Sequence, residues 1–180
     1  RPFHLESRHT ATDEFEIAAL EESFALFPLT RLRPEQIIGS MLQAAWAQTI
    51  DQNSHLFVRI ARFSKENDFV KSYGDLGDQE LSDRSGTIPQ ALLRMNSDLT
   101  RDMVKSDAVS TSSRIATMCQ TNEDVVELSY MTCVSRRPTD AEREHFLGLL
   151  GDASNGNTRG PIVEDIFWTL FNAPEFSWNH

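Results

Sequence analysis

Residues 160–180 read GPIVEDIFWTLFNAPEFSWNH, and the fold turns on how this stretch is read. Ile162, Val163, Ile166, Phe167, Leu170 and Phe171 recur three or four residues apart, which puts a double apolar row on one helix face. Gly160-Pro161 supplies the expected start, because a proline in the first helical turn has no intrahelical N–H to lose. Pro174 supplies the stop, and Phe176 and Trp178 carry more apolar surface onto the same side. Fully burying a side chain such as Phe or Leu contributes about 1.5–3 kcal/mol, so six aligned positions make this helix the expected hub of the core. A stripe of this kind is packing surface and carries no chemistry of its own.

Working outward from the hub, residues 152–159 (DASNGNTR) read as a loop, and Gly151 as the end of a preceding helix. That helix opens at Thr139-Asp140-Ala141-Glu142, a capping box in which Thr139 and Glu142 satisfy each other's end groups; Phe146, Leu147, Leu149 and Leu150 follow. Thr121 caps the helix before it, with Glu123 and Asp124 placed favourably in its first turn. Its apolar rows are Val125, Leu128, Thr132 and Val126, Tyr130, Cys133, and Arg136-Arg137-Pro138 ends it. A short helix is expected over 112–119, after a serine- and threonine-rich connection at 106–113.

The first half is less regular. Residues 1–23 form an arm, polar and without periodicity over 1–12, then weakly amphipathic; the domain proper is taken as 24–180. Pro34 opens a clean helix in which Ile37, Ile38, Met41, Leu42, Ala45 and Trp46 share a face, with Gly39 opposite. Residues 54–73 have helical spacing, with Leu56, Phe57, Ile60, Ala61 and Phe63 expected inward. Pro89 opens another helix, lined by Leu92, Met95, Leu99 and Met103. Between these two, residues 74–87 hold three glycines, three aspartates and one glutamate, the clearest loop in the chain. No segment alternates as a half-buried strand would, and no unit repeats. The expected class is all-α, a single domain of six to seven packed helices without substantial sheet.

Composition narrows the function classes. A chain of 180 residues can bury one sizeable core, and 39% hydrophobic against 24% charged residues suits a globular domain. The formal charge of −10 argues against a nucleic-acid backbone or an anionic membrane surface as the main partner. No apolar run is long enough to span a bilayer. The chain opens at Arg1-Pro2-Phe3 without a signal region, so it reads as a piece of something longer. Cys119 and Cys133 lie about 20 Å apart if joined by helix, well beyond disulfide reach, and are expected as free thiols.

Candidate chemistry is sparse. The acidic loop at Asp75, Asp78, Glu80 and Asp83 offers the oxygen ligands that Ca²⁺ takes, but not in the order of a helix–loop–helix calcium site, and a solvated loop is the preferred reading. Asp83 and Arg84, with Asn96 and Arg137, make a candidate polar cluster where the loop meets the helices. Such a cluster either fixes loop geometry or grips a carboxylate ligand, because a guanidinium can serve both. The five histidines lack metal-ligand spacing, His145 included, and neither a Gly-x-Ser-x-Gly elbow nor a phosphate-binding glycine loop occurs. No catalytic, cofactor-binding or metal residue is therefore assigned, and no cofactor is expected in this chain.

Several motifs occur together in a familiar order. Phe69-Val70-Lys71-Ser72-Tyr73-Gly74 precedes Asp83-Arg84-Ser85 and then residues 87–97, TIPQALLRMNS. Glu127-Leu128-Ser129-Tyr130 leads to Ser135-Arg136-Arg137-Pro138-Thr139 and Glu142, and the chain closes on residues 168–180, WTLFNAPEFSWNH. Over about residues 24–180 this series resembles planctomycete-specific domain one, a family of unknown function; residues 28–36, PLTRLRPEQ, resemble the approach to its first helix. The resemblance implies a C-terminal domain of large exported proteins that often carry a cytochrome-c-like module upstream. It supplies no catalytic residues, and this chain lacks the Cys-x-x-Cys-His that covalent haem attachment needs. The function it implies is a non-catalytic helical module that packs against upstream domains of the parent chain or another protein. The alternative is a contributory enzyme domain, polysaccharide-directed or redox-linked, whose site the upstream domains complete.

Overall fold

The structure is a computed structural model that describes residues 14–23, 31–46, 63–64, 67–71, 95–96, 98–105 and 110–178. These contain seven α-helices: α1 (Glu14–Glu22), α2 (Pro34–Ala45), α3 (Asp98–Val104), α4 (Thr111–Met118), α5 (Asn122–Val134), α6 (Asp140–Leu150) and α7 (Gly156–Asn172). A 3-10 turn, Pro174–Ser177, closes the series. No strand occurs among the described residues, only two isolated antiparallel bridges, Arg31 with Trp178 and Trp46 with Ser110. The all-α class holds. Residues 67–71 and 95–96 are helical, as expected of the segments that contain them; the whole acidic loop, 74–87, and most of the segment after Pro89 lie outside the described residues.

The hub is α7, which packs against α3, α4, α5, α6 and the closing turn, while α2 covers α3, α4 and α5. Val163, Ile166, Phe167 and Phe171 are wholly buried and Leu170 almost so. Phe167, Phe171 and Phe176 meet edge to face in series, with centroids 5.8 and 5.1 Å apart, the arrangement that the ring quadrupole favours. Pro174 starts the closing turn and Phe176 reaches the core, as the pattern predicted.

The start of the hub corrects the sequence reading. α7 begins at Gly156, not at Gly160-Pro161, and Pro161 stands inside it. The signal lies in residues read as loop: the Asn155 side chain accepts from Thr158 N–H at 3.0 Å, and Asn155 N–H donates back to Thr158 Oγ1 at 3.4 Å. Pro161 is the sixth helical residue, so it removes one backbone bond just beyond the turn whose donors have no partners anyway.

Other helix ends follow local chemistry. Asp124 N–H donates to Thr121 Oγ1 at 3.1 Å, and Thr139 N–H donates to Glu142 Oε2 at 2.7 Å, closing both expected caps. Ser110 caps α4 by accepting from Ser113 N–H at 3.2 Å, so the serine-rich connection is shorter than expected. α5 stops at Ser135, which takes φ 55, a left-handed conformation that breaks the helix before the two arginines. In α2, Ile37, Ile38, Met41 and Leu42 have no exposure, and Pro34 occupies the first turn.

Some expected core positions face outward. Leu128 is 47% exposed, because α5 buries Val125, Val126, Ser129, Tyr130, Cys133 and Val134 instead. Ser129 tolerates that slot by donating its hydroxyl to Val125 O at 2.7 Å, which satisfies it without solvent. Leu149, Phe63 and Met95 are likewise exposed. Both cysteines are free; Cys133 is buried and Cys119 half-buried, and burial pushes both thiols above their usual range. Among the described residues no helix is long and apolar enough to cross a membrane.

Candidate functional site

Because α5 turns Leu128 and Met131 outward and α4 turns Met118 outward, three large apolar side chains stand at one solvent-facing corner, Met118 being 70% exposed. They line a cleft of about 700 Å³ between α4 and α5, to which Trp46, bridged to Ser110 just after α2, also contributes. The cleft follows a helix-spaced row on α5: Asp124, Glu127, Leu128, Met131 and Thr132. A second cleft of about 690 Å³ lies between α2 and the end of α5 and shares Gln43 and Thr132 with the first. Of charged residues the first cleft is lined by Asp124, Glu127 and Arg114, and the second by Glu35. Glu127 also meets Arg137 Nε at 3.1 Å in an exposed pair.

The corner between α4 and α5 is set by Arg159 of α7, which is 4% exposed. Its Nη1 donates to Cys119 O at 2.7 Å and its Nη2 to Gln120 O at 3.3 Å; its Nε reaches Asn122 Oδ1 at 2.9 Å and Ala153 O at 3.3 Å. The fork of the guanidinium thus meets the negative end of α4 and the first residue of α5 at once, where a cation is favoured by the helix dipole. Asn122 completes the clasp by donating to Gly151 O at 3.0 Å.

A second clasp surrounds Arg136. Its Nη1 and Nη2 donate to the two Glu142 oxygens at 2.9 and 2.8 Å, and its Nε and Nη2 to the two Glu175 oxygens at 2.6 and 2.8 Å. The guanidinium carbon lies 5.2 Å from the centroid of the Tyr130 ring, a cation–π distance. Both carboxylates hold the guanidinium in its charged form, Glu142 most strongly. In return Arg136, with help from Thr139, lowers the Glu142 carboxyl to about 2, against the burial that opposes it. Burial and the neighbouring Glu142 charge push the Tyr130 phenol up to about 12. All of these groups satisfy one another, which marks the cluster as a fastening between α5, α6 and the closing turn.

Of the polar cluster expected at Asp83, Arg84, Asn96 and Arg137, the first two lie outside the described residues. Asn96 is exposed, and Arg137 pairs with Glu127 at the cleft. The arginines that organise buried polar groups are instead Arg136 and Arg159. Arg159 was legible in principle: it precedes Val163 by four residues and so falls on the buried face once α7 starts at Gly156. No group of three or more metal-capable side chains occurs among the described residues; His145 lies edge-on to Phe146 at 5.1 Å. No family model, curated protein or solved structure matches the chain, so the planctomycete resemblance rests on its quoted motifs.

Proposed function

We propose that this chain is a non-catalytic helical module that packs against another folded unit through the α4–α5 face. The single observation that carries this reading is the cleft lined by exposed Met118, Leu128 and Met131. Contiguous apolar side chains with polar surroundings are what a docking surface requires, and unbranched methionines adapt to the shape of a partner. The family resemblance supports setting the module in a larger exported protein, packed on its upstream domains or on an external partner. The alternative, one wall of an enzyme site, would have to draw on Asp124, Glu127 and Arg114 of the same lining, since Arg136 and Arg159 are occupied in fastening helices.

A photo-crosslinking residue at position 131 of the full-length protein tests this, with one at the exposed Glu144 of α6 as control. Crosslinks from 131 to a defined polypeptide or domain, and none from 144, are expected. An absence of crosslinks from 131 under conditions where the protein is intact would remove the reading.

A further inference from the structure

We propose that Asn155-Gly156, where α7 begins, is a self-modification site at which water converts the asparagine into aspartate and isoaspartate, at a rate set by the helix cap. The reactive element is the dipeptide itself. Of the eight asparagines in the chain, Asn155 alone is followed by glycine. Glycine has no Cβ to screen its nitrogen, so the Gly156 nitrogen can close on Asn155 Cγ. A bond forms between that nitrogen and Cγ, the Cγ–Nδ2 bond breaks, and the side-chain amide leaves as ammonia. Water then opens the cyclic imide at either carbonyl, giving aspartate on the original backbone or isoaspartate with the backbone routed through Cγ. One water is consumed and one ammonia released, with no change of oxidation state.

The fold both presents this pair and restrains it. Asn155 is exposed, and Gly156 is the first residue of α7, where a backbone N–H has no intrahelical acceptor to give up. Restraint comes from the cap. Asn155 Oδ1 accepts from Thr158 N–H at 3.0 Å and from Thr158 Oγ1 at 3.3 Å, so the side-chain amide must let go of Thr158 before its carbon is attacked. The glycine is not readily exchanged, since a Cβ at 156 would stand 3.2 Å from Thr117 Oγ1 on α4. The two products act differently on the fold. Aspartate is a good cap and sets its charge at the positive end of α7. Isoaspartate lengthens the main chain by one carbon, four residues before the Arg159 whose four acceptors fix the corner between α4 and α5. The corner on which the α4–α5 cleft is built therefore loosens as isoaspartate accumulates.

The test ages the protein in mildly alkaline buffer beside a synthetic peptide of residues 152–160, which has the dipeptide without the fold. Peptide mapping by mass spectrometry follows each asparagine, and enzymatic methylation scores isoaspartate. Asn155 is expected to react before the other asparagines, and more slowly in the protein than in the peptide. Thr158→Ala removes the hydroxyl half of the cap and should speed the reaction severalfold, whereas Thr158→Ser should keep the parent rate; circular dichroism checks that both fold. The isoaspartate form, separated by ion exchange, should unfold at a lower urea midpoint than Asn155→Asp, which should match the parent. Another asparagine reacting first overturns the proposal, as does an Asn155 that stays intact while the peptide is consumed. Protein and peptide reacting at one rate, or Thr158→Ala reacting at the parent rate, would equally overturn it, because the cap would then not govern the step. The comparison of protein with peptide needs neither variant. An isoaspartate form as stable as Asn155→Asp would overturn the link from this site to Arg159.

Discussion

Arg159 shows how one side chain can set the geometry of a surface it does not reach. It is buried, meets no carboxylate among its hydrogen-bond acceptors, and joins the end of α4, the start of α5 and the turn after α6 through four acceptors. Removing it takes the donor from four part-buried acceptors at once, and a buried acceptor left unsatisfied costs about 1–3 kcal/mol. Arg159→Ala is therefore expected to lower the unfolding free energy by about 2–4 kcal/mol, read as a fall in the urea midpoint. Arg159→Lys should recover less than half of the loss, since a single ammonium cannot span acceptors placed for a planar fork. A lysine variant as stable as the parent would show that charge alone, and not the fork, holds this corner.

Among the elements, α7 has the clearest role. Phe167 is wholly buried between Phe171 and the surrounding helices, and truncating such a residue leaves a cavity. Phe167→Ala should cost about 3–5 kcal/mol in chemical denaturation. Trp168, half-buried beside the stripe, is the control: Trp168→Ala should cost clearly less. Equal losses would mean that α7 is not the axis of the core. Apolar spacing made this helix and α2 legible before any coordinates, because a wholly buried face admits few substitutes for Ile37, Met41, Ile166 or Phe171. The cap at Thr121 and the capping box at Thr139 were legible because they are chemistry within four residues; that Asp124 returns a bond to make a box at Thr121 as well emerges from the structure. What spacing could not show was which side of α5 turns inward. Ser129 and Leu128 compete for the same arc, and the outcome depends on where α7 and α2 lie, which is not local information. The site inherits this blindness, since an exposed Leu128 and a core Leu128 read alike in sequence. The start of α7 was misplaced because Gly160-Pro161 is a stronger written signal than Asn155 and Thr158, although the latter make the bonds.

For the molecule as a whole, the Arg136 clasp joins residues far apart in the chain, 136 with 175, and therefore couples the closing turn to α5 and α6. Its contribution depends on pH. Glu142 has a folded-state pKa of about 2, below its ordinary 4.5, so the stabilisation is complete above about pH 4.5 and is lost as the pH falls toward 2. Glu142→Gln retains a side chain able to cap α6 but cannot neutralise Arg136. Allowing for the partial exposure of the pair, the variant should be less stable by about 1–2 kcal/mol at neutral pH. The gap to the parent should close as both are titrated from pH 4.5 down to 2, followed by thermal denaturation across that range. A gap that stays constant through the titration would mean that Glu142 acts through packing and not through its charge.

The bridge between Arg31 and Trp178, with Leu32 N–H donating to Ser177 O at 2.9 Å, brings the approach to α2 beside the end of the closing turn. The consequence is mechanical. Tension applied to the chain at these two points does not cross the core; it is borne first by one short backbone pairing, which opens like a zipper. The next catch is the grip of Arg136 on Glu175, three residues before Trp178, with the Phe176 ring seated between. A neighbour tethered at both points would thus pull against a fastener made of one arginine and a few backbone bonds, while α7 and the helices around it carry no load.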